Sequence, residues 1–167
     1  MKKVRFTIPG EPQGKGRPRF ATRITKSGRA FATAYTPEDT KAYEKRVAAA
    51  YYAKHRGFAF DKGTALAMLI TAYCAIPSSA SHKKREEMLD GFIRPAKKPD
   101  ADNIIKVICD ALNGKAYYDD TQVVDVHLVK HFDNSPRVEV VIIPAYLLNE
   151  KVKNAKKVEE EQCRLPI

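Results

Sequence analysis

Apolar residues recur with a strand's period in four stretches of this chain and with a helix's period in two, and that interleaving confines it to a mixed α/β or α+β architecture. Val4, Phe6 and Ile8 alternate with Arg5 and Thr7 until Pro9 and Gly10 stop the run. Thr64 to Ile76 is predicted as a long strand ended by Pro77, although its alanines also suit a helix. Val123 to Phe132 and Val138 to Ile143 are β-branched runs separated by Asp133-Asn134-Ser135-Pro136, which predicts a hairpin and a sheet that is at least partly antiparallel.

Two helices stand out between these strands. Thr36-Pro37-Glu38-Asp39 offers a capping hydroxyl, a proline for the first helical position and acids for the first turn, so Thr40 to Lys54 is predicted helical. Ala42, Tyr43, Val47, Ala50 and Tyr51 would face the core, and Gly57 would end the helix. The stripe Ile104, Ile105, Ile108, Ala111 and Leu112 predicts a second helix over Asn103 to Leu112, with Asp102 as its N-cap and Asn113-Gly114 closing it. A shorter helix is expected over Ser79 to Leu89, stopped by Gly91. Residues 1–144 thus read as one domain, a single mixed sheet with helices packed on it. Residues 145–167 read as a polar, helical tail with Leu148, Val152, Ala155 and Val158 on one side.

Lysine and arginine number 30 against 20 aspartates and glutamates, a formal charge of +10 that attracts polyanions and makes nucleic acid the first partner to consider. Part of that charge is concentrated in a glycine-rich segment from Glu11 to Tyr35, predicted as a basic loop folding back as a hairpin at Lys26-Ser27-Gly28-Arg29. Its Lys15, Arg17, Arg19, Arg23, Lys26 and Arg29 are candidate donors to backbone phosphates. Phe20 and Phe31 in the same segment read first as core residues and second as stacking partners for an unpaired base. The three cysteines, Cys74, Cys109 and Cys163, are odd in number and scattered, which fits a reducing, cytoplasmic setting. The apolar stretch Ala65 to Ile76 is too short to span a bilayer, and no phosphate-binding loop or dinucleotide fingerprint is present, so neither a membrane nor a nucleotide cofactor is expected.

Against this basic background, Lys98-Pro99-Asp100-Ala101-Asp102-Asn103 sets two carboxylates two residues apart where the chain enters a helix. Oxygen ligands of this kind suit Mg²⁺, which takes one or two protein carboxylates and completes its shell with water and phosphate. Taken alone, the pair reads more readily as a helix cap and a solvated loop acid. Asp119-Asp120 precedes a strand and reads equally as a polar turn or as acids pointing toward the first pair. Lys106, four residues after Asp102, shares its helix face and could meet a phosphate, or else pair with Asp102 or Asp110. Arg94, Lys97 and Lys98 flank the acids and could hold a DNA strand, or form a solvated charge run. His127 and His131 lie on one face of a predicted strand and read as ordinary sheet positions before they read as a metal pair.

In order along the chain, Lys98-Pro99-Asp100-x-Asp102-Asn103-x-x-Lys106, Asp110-Ala111-Leu112-Asn113-Gly114 and Asp119-Asp120-x-Gln122-Val123 together resemble the RusA family of Holliday junction resolvases. The resemblance extends more loosely to the first strand, to Gly16-Arg17-Pro18-Arg19 and to Tyr35-Thr36-Pro37. It implies a Mg²⁺-dependent endodeoxyribonuclease, with Mn²⁺ able to substitute, that acts as a homodimer on branched DNA and cuts a four-way junction by paired symmetric nicks. It carries catalytic acids onto Asp100, Asp102 and Asp120, with Asp119 beside them as a further metal ligand, and an essential lysine onto Lys106. It also implies a cytoplasmic protein, bacterial or phage-encoded. The chain departs from the best-known members in its Gly-Lys-Gly-Arg-Pro-Arg segment, a longer linker and the tail. Two other readings are a nuclease of broader taste for flaps or forks and a noncatalytic DNA-binding accessory protein, whose signature would be a broken acid set.

Overall fold

Val4, Phe6 and Ile8 are fully buried, as their alternation predicts, and the strand they define, β1 (Val4–Pro9), forms one edge of a four-stranded sheet. The computed structural model describes residues 3–24 and 30–148, with the side chains of Arg23, Ile24 and Phe31 outside that description. The basic segment folds back as expected: β2 (Arg19–Ile24) pairs antiparallel with β3 (Ala30–Tyr35), Arg19 opposite Tyr35. This ribbon is a sheet of its own, separate from the main one. Lys26 and Arg29 lie outside the described residues, as do Cys163 and the predicted tail from residue 149 on.

The main sheet runs β1-β6-β4-β5, with β4 (Leu66–Ala75), β5 (Val123–Asp133) and β6 (Arg137–Pro144). The long apolar stretch is therefore a strand and not a helix. The sheet is mixed, because β6 pairs antiparallel with both β1 and β4 while β4 and β5 are parallel. The hairpin predicted between the last two strands does not form, since β6 lies on the far side of β4 from β5. Both edges of a strand as apolar as β4 are best paired, and burial at Leu66, Met68, Ile70 and Ala72 holds it in the sheet interior. The step from Asp133 to Arg137 can reach about 13 Å, more than the roughly 9.6 Å of two strand spacings it must cross.

One face of the sheet is covered by α1 (Glu38–His55) and α3 (Ala101–Leu112), which also pack on each other. Thr40, Tyr43, Val47 and Tyr51 form the buried stripe of α1, whereas Ala42, expected inside, is exposed because it falls off that stripe. Ile104, Val107, Ile108, Ala111 and Leu112 bury the matching stripe of α3. Helix starts differ from expectation by one to three residues. Pro37 and not Thr36 occupies the cap of α1, α2 (His82–Leu89) begins after Ser81, and Asp100 and not Asp102 sits at the cap of α3. Helix α2 buries no residue and rests on β5. Among the described residues, no helix is long and apolar enough to cross a membrane.

Candidate active site

The earlier start of α3 changes what its first acids can do. Asp100 holds an extended backbone at the cap position, where an aspartate normally accepts a bond from the first helical amides, worth about 1 kcal/mol, yet its side chain makes no such bond. Asp102 falls in the first turn, and both carboxylates are exposed at the helix end whose partial positive charge favours anions. Lys106 lies one turn further along the same exposed face and has no ion-pair partner among the described residues. The segment leading into Asp100 is held from the sheet: Lys130 Nζ donates to the carbonyls of Lys97 at 2.6 Å and Pro99 at 3.0 Å.

The second acidic pair divides in two. Asp119 caps the short 3-10 turn Asp120–Gln122, its Oδ1 accepting from the Thr121 amide at 2.9 Å and hydroxyl at 2.6 Å. Those donors hold its carboxyl below the usual carboxylate range. Gln122, nearly buried, accepts from the amides of Tyr118 and Asp119 and donates to the carbonyls of Asp61 and Thr64, so the turn is fixed to the loop before β4. Asp120 lies near α3. After burial, its charge is among the influences that raise the Cys109 thiol and the Tyr117 hydroxyl, and Tyr117 donates to the Cys109 carbonyl at 3.0 Å. Asp100 and Asp102 thus share one end of α3, and the turn bearing Asp120 touches the same helix. Among the described residues, no three His, Cys, Asp or Glu side chains are gathered closely enough to form a ready cage for a metal. In chemistry the set fits a hard divalent cation, because its donors are carboxylate oxygens and those of Asp100 and Asp102 are not engaged by protein cations.

Beside Asp100 opens a cleft of about 750 Å³ walled by Gln13 to Arg17 on one side and Lys98 to Asp100 on the other. Glycine lets the first wall come this close. A Cβ at position 14 would stand 2.9 Å from the Asn103 Cβ, and one at 16 would stand 2.7 Å from the Thr40 hydroxyl. The backbone amides bond across the same contacts, Lys15 to the Asn103 carbonyl at 2.9 Å and Gly16 to the Thr40 hydroxyl at 3.2 Å.

The expected phosphate donors fall into two groups. Arg17, Arg19, Lys97 and Lys98 are exposed and unpaired among the described residues. Lys15 instead lies between Glu44 Oε1 at 2.5 Å and Asp110 Oδ2 at 2.6 Å, about one-fifth exposed. Burial pulls its pKa down, but the two carboxylates overcome that and hold it above the ordinary lysine value. Arg94 donates to the carbonyls of Gly91 and Lys130 and contacts the His131 ring. That ring stacks on Tyr73, and burial, then the Arg94 charge, lower its pKa, so His131 serves the sheet surface. Phe20, expected inside first, is 74% exposed because its ribbon pairs with nothing beyond itself. Sequence reading passed over Lys130 and Gln122 as actors. The signal for Lys130 was its phase, a lysine aligned with Val126, Leu128 and Phe132 on the inward side of β5.

Exposed acids and an unpaired lysine at the start of one helix, bordered by free cations on a basic chain, are groups of the kind that phosphodiester hydrolysis uses. The sequence model described as Endodeoxyribonuclease RusA matches residues 9–143, and the chain belongs to that family of DNA-hydrolysing enzymes. It is also 38% identical over 141 residues to the "Uncharacterized protein YqaN" of Bacillus subtilis (strain 168), an alignment covering 83% of this chain and 94% of the relative.

Proposed function

We propose that the chain resolves four-way DNA junctions by hydrolysing one phosphodiester in each of two symmetry-related strands. The observation that carries this reading is the exposed row Asp100, Asp102 and Lys106 on one helix end, none of them paired with another protein charge. Asp100, Asp102 and Asp120 would hold Mg²⁺, or Mn²⁺ in its place, with Asp119 alongside and anchoring the turn that carries Asp120. A divalent ion bound there supplies Lewis acidity to a phosphate oxygen and makes a water more acidic.

The chain's own residues do the remaining work. Lys106 offers an ammonium where the phosphate gains negative charge in the transition state, a stabilisation that grows as the site is closed to water by DNA. Arg17, Arg19, Lys97 and Lys98 hold the strand by its backbone without reading its sequence. Lys130 keeps the approach to Asp100 in place through the Lys97 and Pro99 carbonyls. Residues 1–144 would constitute the working unit, and a two-fold dimer is the natural agent for paired cuts in a two-fold junction.

The test is cleavage of a labelled synthetic four-way junction, with linear duplex, flap and fork as controls, in Mg²⁺ or EDTA. Paired nicks in the junction that need Mg²⁺ and vanish in Asp102→Asn are the expected result. Equal cutting of flaps and forks would make this a broader structure-selective nuclease. Tight junction binding with no cutting would make it a noncatalytic binding protein.

A further inference from the structure

Asp102, Lys106 and Asp110 follow one another at intervals of four along α3, so Lys106 has an acid one turn to either side. A lysine so placed can form an intrahelical ion pair with either acid, and Lys106 forms neither. Asp110 is already taken: its Oδ2 meets Lys15 Nζ, which also meets Glu44 of α1. Lys15 arrives there on a backbone tightly fixed against α3 through the Asn103 carbonyl and against α1 at Thr40 by the neighbouring Gly16 amide.

We propose that Lys15 is a positioning residue that occupies Asp110 and so leaves Lys106 unpaired for the scissile phosphate. This rests on the reading of Lys106 given above. With Lys15 present, Asp110 and Glu44 share an ammonium and carry a net charge of about −1 between them; without it they present about −2 one turn from Lys106. Lys106 would then turn along its own helix to Asp110 and away from the substrate. A phosphate contact would leave the Lys15 ammonium open to solvent, and here two acids enclose it.

Junction cleavage by Lys15→Met, Asp110→Asn and the double variant tests this, with junction affinity and its salt dependence measured beside kcat. Lys15→Met should lower kcat by about tenfold or more while KM and the salt slope stay near wild type. The double variant should regain most of that loss, because the competing acid has gone with the lysine. Unrestored kcat in the double variant overturns the proposal. So does a raised KM with a salt slope shallower by about one, the mark of a lost phosphate contact. A second readout needs neither cleavage nor a folded Lys15→Met variant: the side-chain ammonium NMR signals of the full-length wild-type chain and Asp110→Asn. Lys15 should give a slowly exchanging signal that shifts in Asp110→Asn, with Lys106 exchanging freely in both. A slowly exchanging Lys106 signal lost in Asp110→Asn overturns the proposal. If the chain cuts no DNA but the ammonium signals behave as stated, the clamp stands and the assignment of Lys106 to a scissile phosphate falls.

Discussion

At the scale of single residues, neighbouring acids of this chain have different partners, and their substitution should separate accordingly. Asp119 carries the Thr121 bonds of the 3-10 turn, whereas Asp120 bears its charge toward α3. Asp120→Asn is expected to lower junction cleavage about 100-fold, roughly 2.7 kcal/mol in barrier, with little change in Tm. Asp119→Ala should instead lower Tm and, by loosening the turn that carries Asp120, lower cleavage less than Asp120→Asn does; equal loss of activity in both at unchanged Tm would show the division to be wrong. Gln122 makes four bonds from a nearly buried position, and Gln122→Ala strands two amides and two carbonyls, so a loss of about 2–3 kcal/mol in urea unfolding is expected. The acids themselves were legible in the sequence, because carboxylates two apart at a helix start are a local pattern. Which of them were already engaged was not legible. The partner of Lys15 on α1 is 29 residues away, and the carbonyl that Lys130 reaches from Lys97 is 33 away, distances over which no local pattern speaks.

Among elements, periodicity located β1, β4, β5, β6, α1 and α3 to within a few residues because each buries one phase of its apolar residues against a common core. It could not show which strands pair. The turn Asn134 to Pro136 looks like a hairpin closure from its composition, and only the need to place β4 in the sheet interior sends β6 across it. On the open face of that sheet Arg137 bridges Asp133 and Glu139 and stacks over Tyr73, and Arg5 adds a second partner to Glu139. These contacts lower both carboxyl pKa values: for Asp133 the Ser135 amide acts first and Arg137 next, and for Glu139 Arg137 acts first. Each acid therefore binds its proton less readily folded than unfolded. The stability this gives is present above the unfolded values, near pH 4, and is lost as pH falls through the lower folded values. Arg137→Met should accordingly flatten the dependence of unfolding free energy on pH below about pH 4; an unchanged slope would mean the acids owe nothing to Arg137. Lys130 makes the corresponding case between β5 and the site. Lys130→Met keeps the stem's packing but releases two carbonyls beside Asp100, and should weaken cleavage more than junction binding, with Lys130→Arg restoring part of it.

For the molecule as a whole, the net charge of +10 says that DNA is attracted but not where it lies, and the structure narrows the question by sorting its cations. Around the acids, Arg17, Arg19, Lys97 and Lys98 are unpaired among the described residues, whereas Lys15 and Arg94 are held by protein acceptors. Each phosphate contact releases bound counterions, and removing one should flatten the plot of log affinity against log salt by about 0.9. Arg17→Ala and Lys98→Ala, on opposite walls of the cleft, should each do so, and together by about twice as much. Arg94→Ala changes the formal charge by the same single unit but should leave the slope nearly alone, since its guanidinium bonds Gly91, Lys130 and His131. Equal slopes for all three variants would mean that the chain binds DNA through its diffuse field. Unequal slopes would place the strand in the cleft, alongside Asp100 and within one turn of Asp102.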